Sequence, residues 1–149
     1  MSNWITITPA ALEDITSPAI IAKINEIAGQ SHTNPMTRAI VAAVARVRRA
    51  VSTGNALETD PATVPASLEA VTLRIARAGL FEFLRFPLDE DQKVSLREDL
   101  SDLKRISDER IRVEAPDNPL SDGQGIQRQP SPAVIRNDRK FTDRSTDGI

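Results

Sequence analysis

Residues 65–86 read PASLEAVTLRIARAGLFEFLRF, and this stretch decides the architecture. Pro65 pre-sets a first helical turn and Pro87 ends the run. Between them Leu68, Val71, Ile75, Gly79, Phe83 and Phe86 recur at helical spacing, and Leu73, Leu80 and Leu84 widen the stripe sideways. Only Arg74, Arg77 and Arg85, with Phe81 among them, leave a polar strip. A helix apolar around most of its circumference belongs in the middle of a bundle. On this reading Ile75 and Phe83 are core, and Gly79 lets a neighbouring helix approach closely.

The flanking sequence supplies the partners. Thr8-Pro9, Ser17-Pro18 and Asn34-Pro35 each join a capping acceptor to a residue suited to the first turn. They predict a short helix from Pro9 to about Ile15, a second from Pro18 to Ala28 stopped by Gly29, and a long one from Pro35 to about Thr53, closed by Gly54-Asn55. In the long one Ile40, Val44, Val47 and Val51 share a face, with Arg38 and Arg49 opposite. Trp4–Thr8 is a candidate extended piece, and Asn55–Val64, carrying Asp60-Pro61, is a loop with a short extended segment. Asp89-Glu90-Asp91 opens a last helix with negative charge where the macrodipole favours it. Leu96, Leu100, Leu103 and Ile106 give that helix a narrow apolar stripe, and it ends near Arg112.

The expected fold class is therefore mainly α: a small bundle of four to five helices over residues 1–114, followed by a long extended C-terminal arm over 115–149. Pro116, Pro119, Pro130 and Pro132, with Gly123 and Gly125, punctuate an arm that has no helical or strand period. Its charges balance, and such a segment cannot offset its own ordering entropy. An arm of this kind takes its order from a partner.

Composition narrows the function. The chain has 149 residues and 16.3 kDa, no cysteine, one histidine, and 19 Lys+Arg against 21 Asp+Glu. The lack of cysteine removes disulfides, thiolate metal sites and a cysteine nucleophile. A net charge of −2 gives no global pull toward nucleic acid or anionic lipid. No apolar run is long enough to span a membrane, and the first residues lack a signal-peptide pattern, so a soluble protein made in the cytoplasm is expected. The aromatics are few: Trp4, Phe81, Phe83, Phe86 and Phe141.

Enzymatic chemistry finds little support. His32 sits between Ser31 and Thr33 in a helix connection without an orienting partner, and reads as a solvent-facing loop residue. Asp89-Glu90-Asp91 lacks the alternating oxygen pattern of a calcium loop. Gly123-Gln-Gly125 has neither the strand nor the helix of a phosphate-cradling loop. No catalytic residue, cofactor or metal is expected.

Two clusters suit interaction instead. The Pro35–Thr53 helix carries Arg38, Arg46, Arg48 and Arg49 and no acid. Arg38, Arg46 and Arg49 could follow a phosphate backbone, as in a DNA-binding regulatory protein. They could equally pair with acids such as Glu98, Asp99 and Asp102, or meet a protein partner with an acidic rim. Phe81, flanked by Arg74, Arg77 and Arg85, fits the composition of a protein interface, unless the Trp4 region folds back over it. In the arm, Arg139, Lys140 and Arg144 surround Phe141, an anchor able to fill an apolar pocket while pairing with acids at its rim.

The pattern Ile40-Val-Ala-Ala-Val-Ala-Arg-Val-Arg-Arg49, a polar loop, Val64-Pro65-x-x-Leu68, Leu73-Arg-Ile-Ala-Arg77 and a final helix with an acidic start resembles the head–tail connector (adaptor) proteins of tailed bacteriophages, most nearly the Mu-like prophage neck proteins. The ending Asn137-Asp-Arg-Lys-Phe141-Thr-Asp-Arg144-Ser-Thr-Asp-Gly148-Ile149 is similar to the aromatic, arginine and glycine ending of that group. Phenylalanines stand where the group often has tyrosines. The resemblance implies a structural virion protein at the head–tail neck, synthesised in the host cytoplasm. Its implied partners are the portal protein, neighbouring copies in a twelve-fold ring, and a downstream neck or tail protein, with DNA passing through the ring unread. A tail-completion or stopper protein of the same neck is the alternative within that class.

Overall fold

A computed structural model describes residues 2–29 and 34–120. In chain order these form β1 (Trp4–Thr6), α1 (Pro9–Asp14), α2 (Pro18–Ala28), α3 (Pro35–Val51), β2 (Thr63–Pro65), a 3-10 turn (Ala66–Leu68), α4 (Glu69–Leu84) and α5 (Glu90–Ser107). The fold is mainly helical, with one two-stranded antiparallel sheet that sets Trp4 opposite Pro65 and Thr6 opposite Thr63.

Thr8 and Asn34 cap their helices as expected, whereas Ser17 makes no side-chain cap bond, and α4 starts at Glu69 rather than at Pro65, which closes β2. The Thr8 hydroxyl accepts the Ala11 N–H at 3.3 Å and the Asn34 side chain accepts the Met36 N–H at 2.9 Å. Asp89 and Gln92 form a reciprocal capping box at the start of α5. The α5 end departs from expectation. The chain turns through Glu109 at φ 60°, so the helix stops at Ser107 rather than near Arg112. Gly54 permits this turn to close, because a Cβ there would meet the Glu109 side chain at 2.6 Å.

α3 is the hub, packing against α1, α2, α4, α5 and β2. Ile40, Val44, Val47 and Val51 are buried on it, as their spacing requires. α4 lies against α3 and α5 but is turned differently from the expected stripe. Its buried residues are Thr72, Leu73, Ile75, Ala76, Leu80 and Phe81, while Gly79, Phe83 and Phe86 face outward. The stripe centre moves toward the Leu73–Leu80–Leu84 side by about one residue's rotation, roughly 100°. Phe81 is 8% exposed and Phe83 53%, the reverse of their expected placements. Nor does Gly79 accommodate a close neighbour, since nothing lies within 4 Å of a Cβ built there.

The reversal follows from side-chain ties, one to the helix's own backbone and two to other elements. Thr72 can be buried because its hydroxyl donates to the Leu68 carbonyl at 2.7 Å. The arginines flanking Phe81 do not mark a solvent strip, because two of them are held by the fold. Arg74 makes a two-pronged bond to Asp99 of α5, both contacts at 2.7 Å. Arg77 donates to the Ile15 carbonyl at 3.2 Å.

The segment before residue 121 closes over the N-terminal strand. The Trp4 indole is buried and donates to the Glu114 carbonyl at 3.0 Å. Asp117 accepts the Ser2 hydroxyl at 2.7 Å and the Asn3 N–H at 2.8 Å. Asn118 and Leu120 pair with the Leu57–Thr59 edge, so Ala115–Leu120, the head of the expected arm, is fastened to the bundle. Trp4 lies opposite Pro65, which precedes α4, whereas Phe81 stands near the far end of that helix. The separation along α4 is about 18 Å, so the Trp4 strand is not what covers Phe81.

Candidate functional site

A groove of about 660 Å³ lies between α3, the second half of α4 and the start of α5. Its floor is made by small and aliphatic side chains, among them Ala39, Ala42, Ala43, Ile75 and Leu80, and its α4 wall by Phe83 and Phe86. Phe83 and Phe86 are 53% and 42% exposed, so the groove presents two aromatic faces that the bundle leaves uncovered. These residues come to one edge because they fall in the last turn of α4 and just beyond it, where Arg85 terminates the helix at φ 57°. The Phe86 N–H returns to the Phe81 carbonyl at 2.9 Å, a left-handed helix stop made without glycine.

The rim is basic. Arg38 and Arg46 of α3 and Lys93 of α5 line the groove, against Glu82 as its acid. The Arg38 guanidinium lies 6.0 Å from the centre of the Phe83 ring, a cation–π distance. Among the described residues Arg38, Arg46 and Arg49 form no ion pair. Of the three acids expected to serve them, Asp99 is buried and committed to Arg74, and Asp102 pairs with Arg105. The hydrogen bond to Asp99 raises the Arg74 guanidinium above its ordinary value.

Arg48, grouped with these three in the sequence, does something different. It is buried and donates to three backbone carbonyls: Glu58 at 2.7 Å, Thr63 at 2.8 Å and Asp60 at 2.9 Å. Its guanidinium also lies 5.4 Å from the Trp4 ring centre. Burial pulls its pKa below the ordinary value, opposed by the charges of Asp60 and Glu58. Arg48 therefore shapes the loop before β2 and takes no part in the groove.

The expected interface set divides accordingly. Phe81 is core, Arg74 and Arg77 are structural ties, and Arg85 is an exposed helix stop. The structure brings together Arg38 and Arg46 with Phe83 and Phe86, a pairing the sequence offered no direct sign of beyond two aromatics close before Pro87. Arg139, Lys140, Phe141, Arg144 and Ile149 lie outside the described residues, as do His32, Gly123 and Gly125.

A second, smaller hollow of about 460 Å³ sits on the other side of α3, between Ile7, Val41, Ala45 and the Pro61-Ala62 turn. It has no charged residue in its lining. Among the described residues no group of His, Cys, Asp or Glu side chains could hold a metal ion, and no described helix is long and apolar enough to cross a membrane. No family model, no curated protein and no solved structure matches this chain.

Proposed function

We propose that this protein is a structural subunit of a tailed-phage neck, a head–tail connector whose copies form a ring that joins the portal to the tail and completes the head. The observation that carries the proposal beyond the sequence resemblance is the uncovered groove. Two aromatics and a basic rim on a small helical bundle make a surface for a protein partner. The arm read from the sequence over 115–149 would reach portal or neighbour through Phe141 between Arg139, Lys140 and Arg144, all of which lie outside the described residues. A short domain gains large contact area in this way, and the ordering cost falls on assembly.

The test is a size measurement of the purified protein alone and mixed with its portal protein. Co-migration in a complex of several copies supports the proposal, and two independent species refute it. One specific observation favours a second reading, DNA binding through Arg38, Arg46 and Arg49, namely their lack of ion-pair partners among the described residues. Duplex affinity falling steeply with salt would mark that alternative.

A further inference from the structure

We infer that the α3–α4 groove is filled by the outer face of α5 from a second copy of this chain. The two surfaces match residue for residue. On α3, Arg38, Ala42 and Arg46 follow one another at four-residue intervals and all are exposed along the groove. On α5, Glu90, Val94 and Glu98 follow the same intervals and are exposed, with Val94 at 49%. Each set is one ridge of a helix surface, and in each the charged residues stand about 12 Å apart along the axis. Laying one ridge on the other sets both carboxylates against guanidinium groups and drops Val94 over Ala42, where the small side chain leaves room beside Phe83.

The α5 ridge lies opposite the side through which Leu103 and Ile106 face inward, with Val94 exposed and Glu98 within electrostatic reach of Arg74 in its own bundle. Glu90 also pairs with Lys93 at 2.6 Å, but both ends of that pair are exposed and the contact is weak enough to exchange. Charge argues against the chain's own arm as the occupant: the Phe141 anchor is flanked by Arg139, Lys140 and Arg144, which would meet the basic rim with like charge.

The contact is heterologous, groove to ridge. Each copy keeps one free half, and repetition gives a ring or an open filament. This arrangement rests on the ring-forming reading above and specifies its subunit contact.

Charge reversal tests it. Sedimentation compares the wild type with Arg38→Glu/Arg46→Glu, with Glu90→Lys/Glu98→Lys, and with an equimolar mixture of the two variants, each first checked for wild-type helicity. The wild type should self-associate and dissociate with added salt. Each variant alone should associate about 100-fold more weakly or worse, because like charges then face each other. The mixture should recover, since both of its cross-contacts are again complementary. A wild type that stays monomeric at about 1 mM, or a mixture that fails to recover, overturns the inference. Duplex DNA binding lost in Arg38→Glu/Arg46→Glu without any self-association assigns the arginines to nucleic acid and also overturns it. Portal capture is measured separately: recovery in the mixture without portal binding leaves the subunit contact standing and removes the neck function.

Discussion

Replacing Arg48 tests the structural core of this account most sharply, because one side chain holds three points of the loop between α3 and β2. A hydrogen bond from a charged donor contributes about 1.5–3 kcal/mol, so three give a gross value several times that. Against it stand the desolvation of a guanidinium that is 9% exposed and the fixing of a long side chain, together several kcal/mol. The net loss expected for Arg48→Ala is about 3 kcal/mol, which lowers the melting temperature of a domain this size by about 12 °C. Arg48→Lys keeps the charge but cannot reach three carbonyls from one ammonium, and should lose about 2 kcal/mol. Arg49→Ala, one residue along on the exposed side, should stay within about 0.5 kcal/mol of wild type. Urea titration followed by the fluorescence of Trp4, the chain's one tryptophan, reads both stability and the local packing that Arg48 caps. An Arg48→Ala midpoint indistinguishable from that of Arg49→Ala refutes the clamp.

Three further outcomes follow from named contacts. Phe81→Ala should cost about 3–4 kcal/mol by cavity formation, whereas Phe83→Ala should change urea stability by less than about 0.5 kcal/mol and weaken assembly; the opposite pattern means α4 is turned as its spacing alone suggested. Arg85→Gly should stabilise the protein by about 0.5–1 kcal/mol, because glycine adopts the left-handed stop without the Cβ penalty, and a loss of stability in the urea midpoint contradicts that geometry. The Ser2 hydroxyl and the Asn3 N–H hold the Asp117 carboxyl below its ordinary value. A carboxyl depressed in the folded state contributes its stability above the unfolded value near 4 and loses it as pH falls through the folded value. A carboxyl-carbon NMR titration should therefore place the Asp117 midpoint under that of an unstructured peptide, and a midpoint at or above it removes the tie.

Local signals were legible in the sequence, and they concern helix boundaries. Thr8-Pro9, Asn34-Pro35 and the acidic start at Asp89-Glu90-Asp91 act within one turn, so no distant partner can overrule them. The α3 core face was equally readable, because Ile40, Val44, Val47 and Val51 share one face with Arg38 and Arg49 opposite. α4 defeated the same method for a physical reason. With apolar residues on nearly every side, its periodicity sets no preferred rotation, and the choice falls to ties made elsewhere: Arg74 to Asp99, Arg77 to the Ile15 carbonyl, Thr72 to its own backbone. An arginine in a sequence reads as solvent, yet Arg48 ends in the interior because the acceptors that satisfy it are main-chain carbonyls, which no side-chain pattern reveals. The β1–β2 pairing escaped notice for a related reason, as three-residue strands carry too little period to register.

The net charge misled in the same way as the α4 stripe, by averaging. A total of −2 describes a surface of no particular character, whereas α3 carries four arginines without an acid and α5 places Glu90, Asp91 and Glu98 on an outward face. Segregated charge on a near-neutral chain gives two faces that attract each other and a whole that repels little. Among the described residues none of Glu90, Asp91 and Glu98 pairs with an α3 arginine. In the subunit contact proposed above, the attraction is satisfied between copies. A monomer under selection for solubility alone has no reason to keep Phe83 and Phe86 exposed between basic residues. A subunit whose contacts must repeat identically around an axis does, since the same two faces then serve every interface.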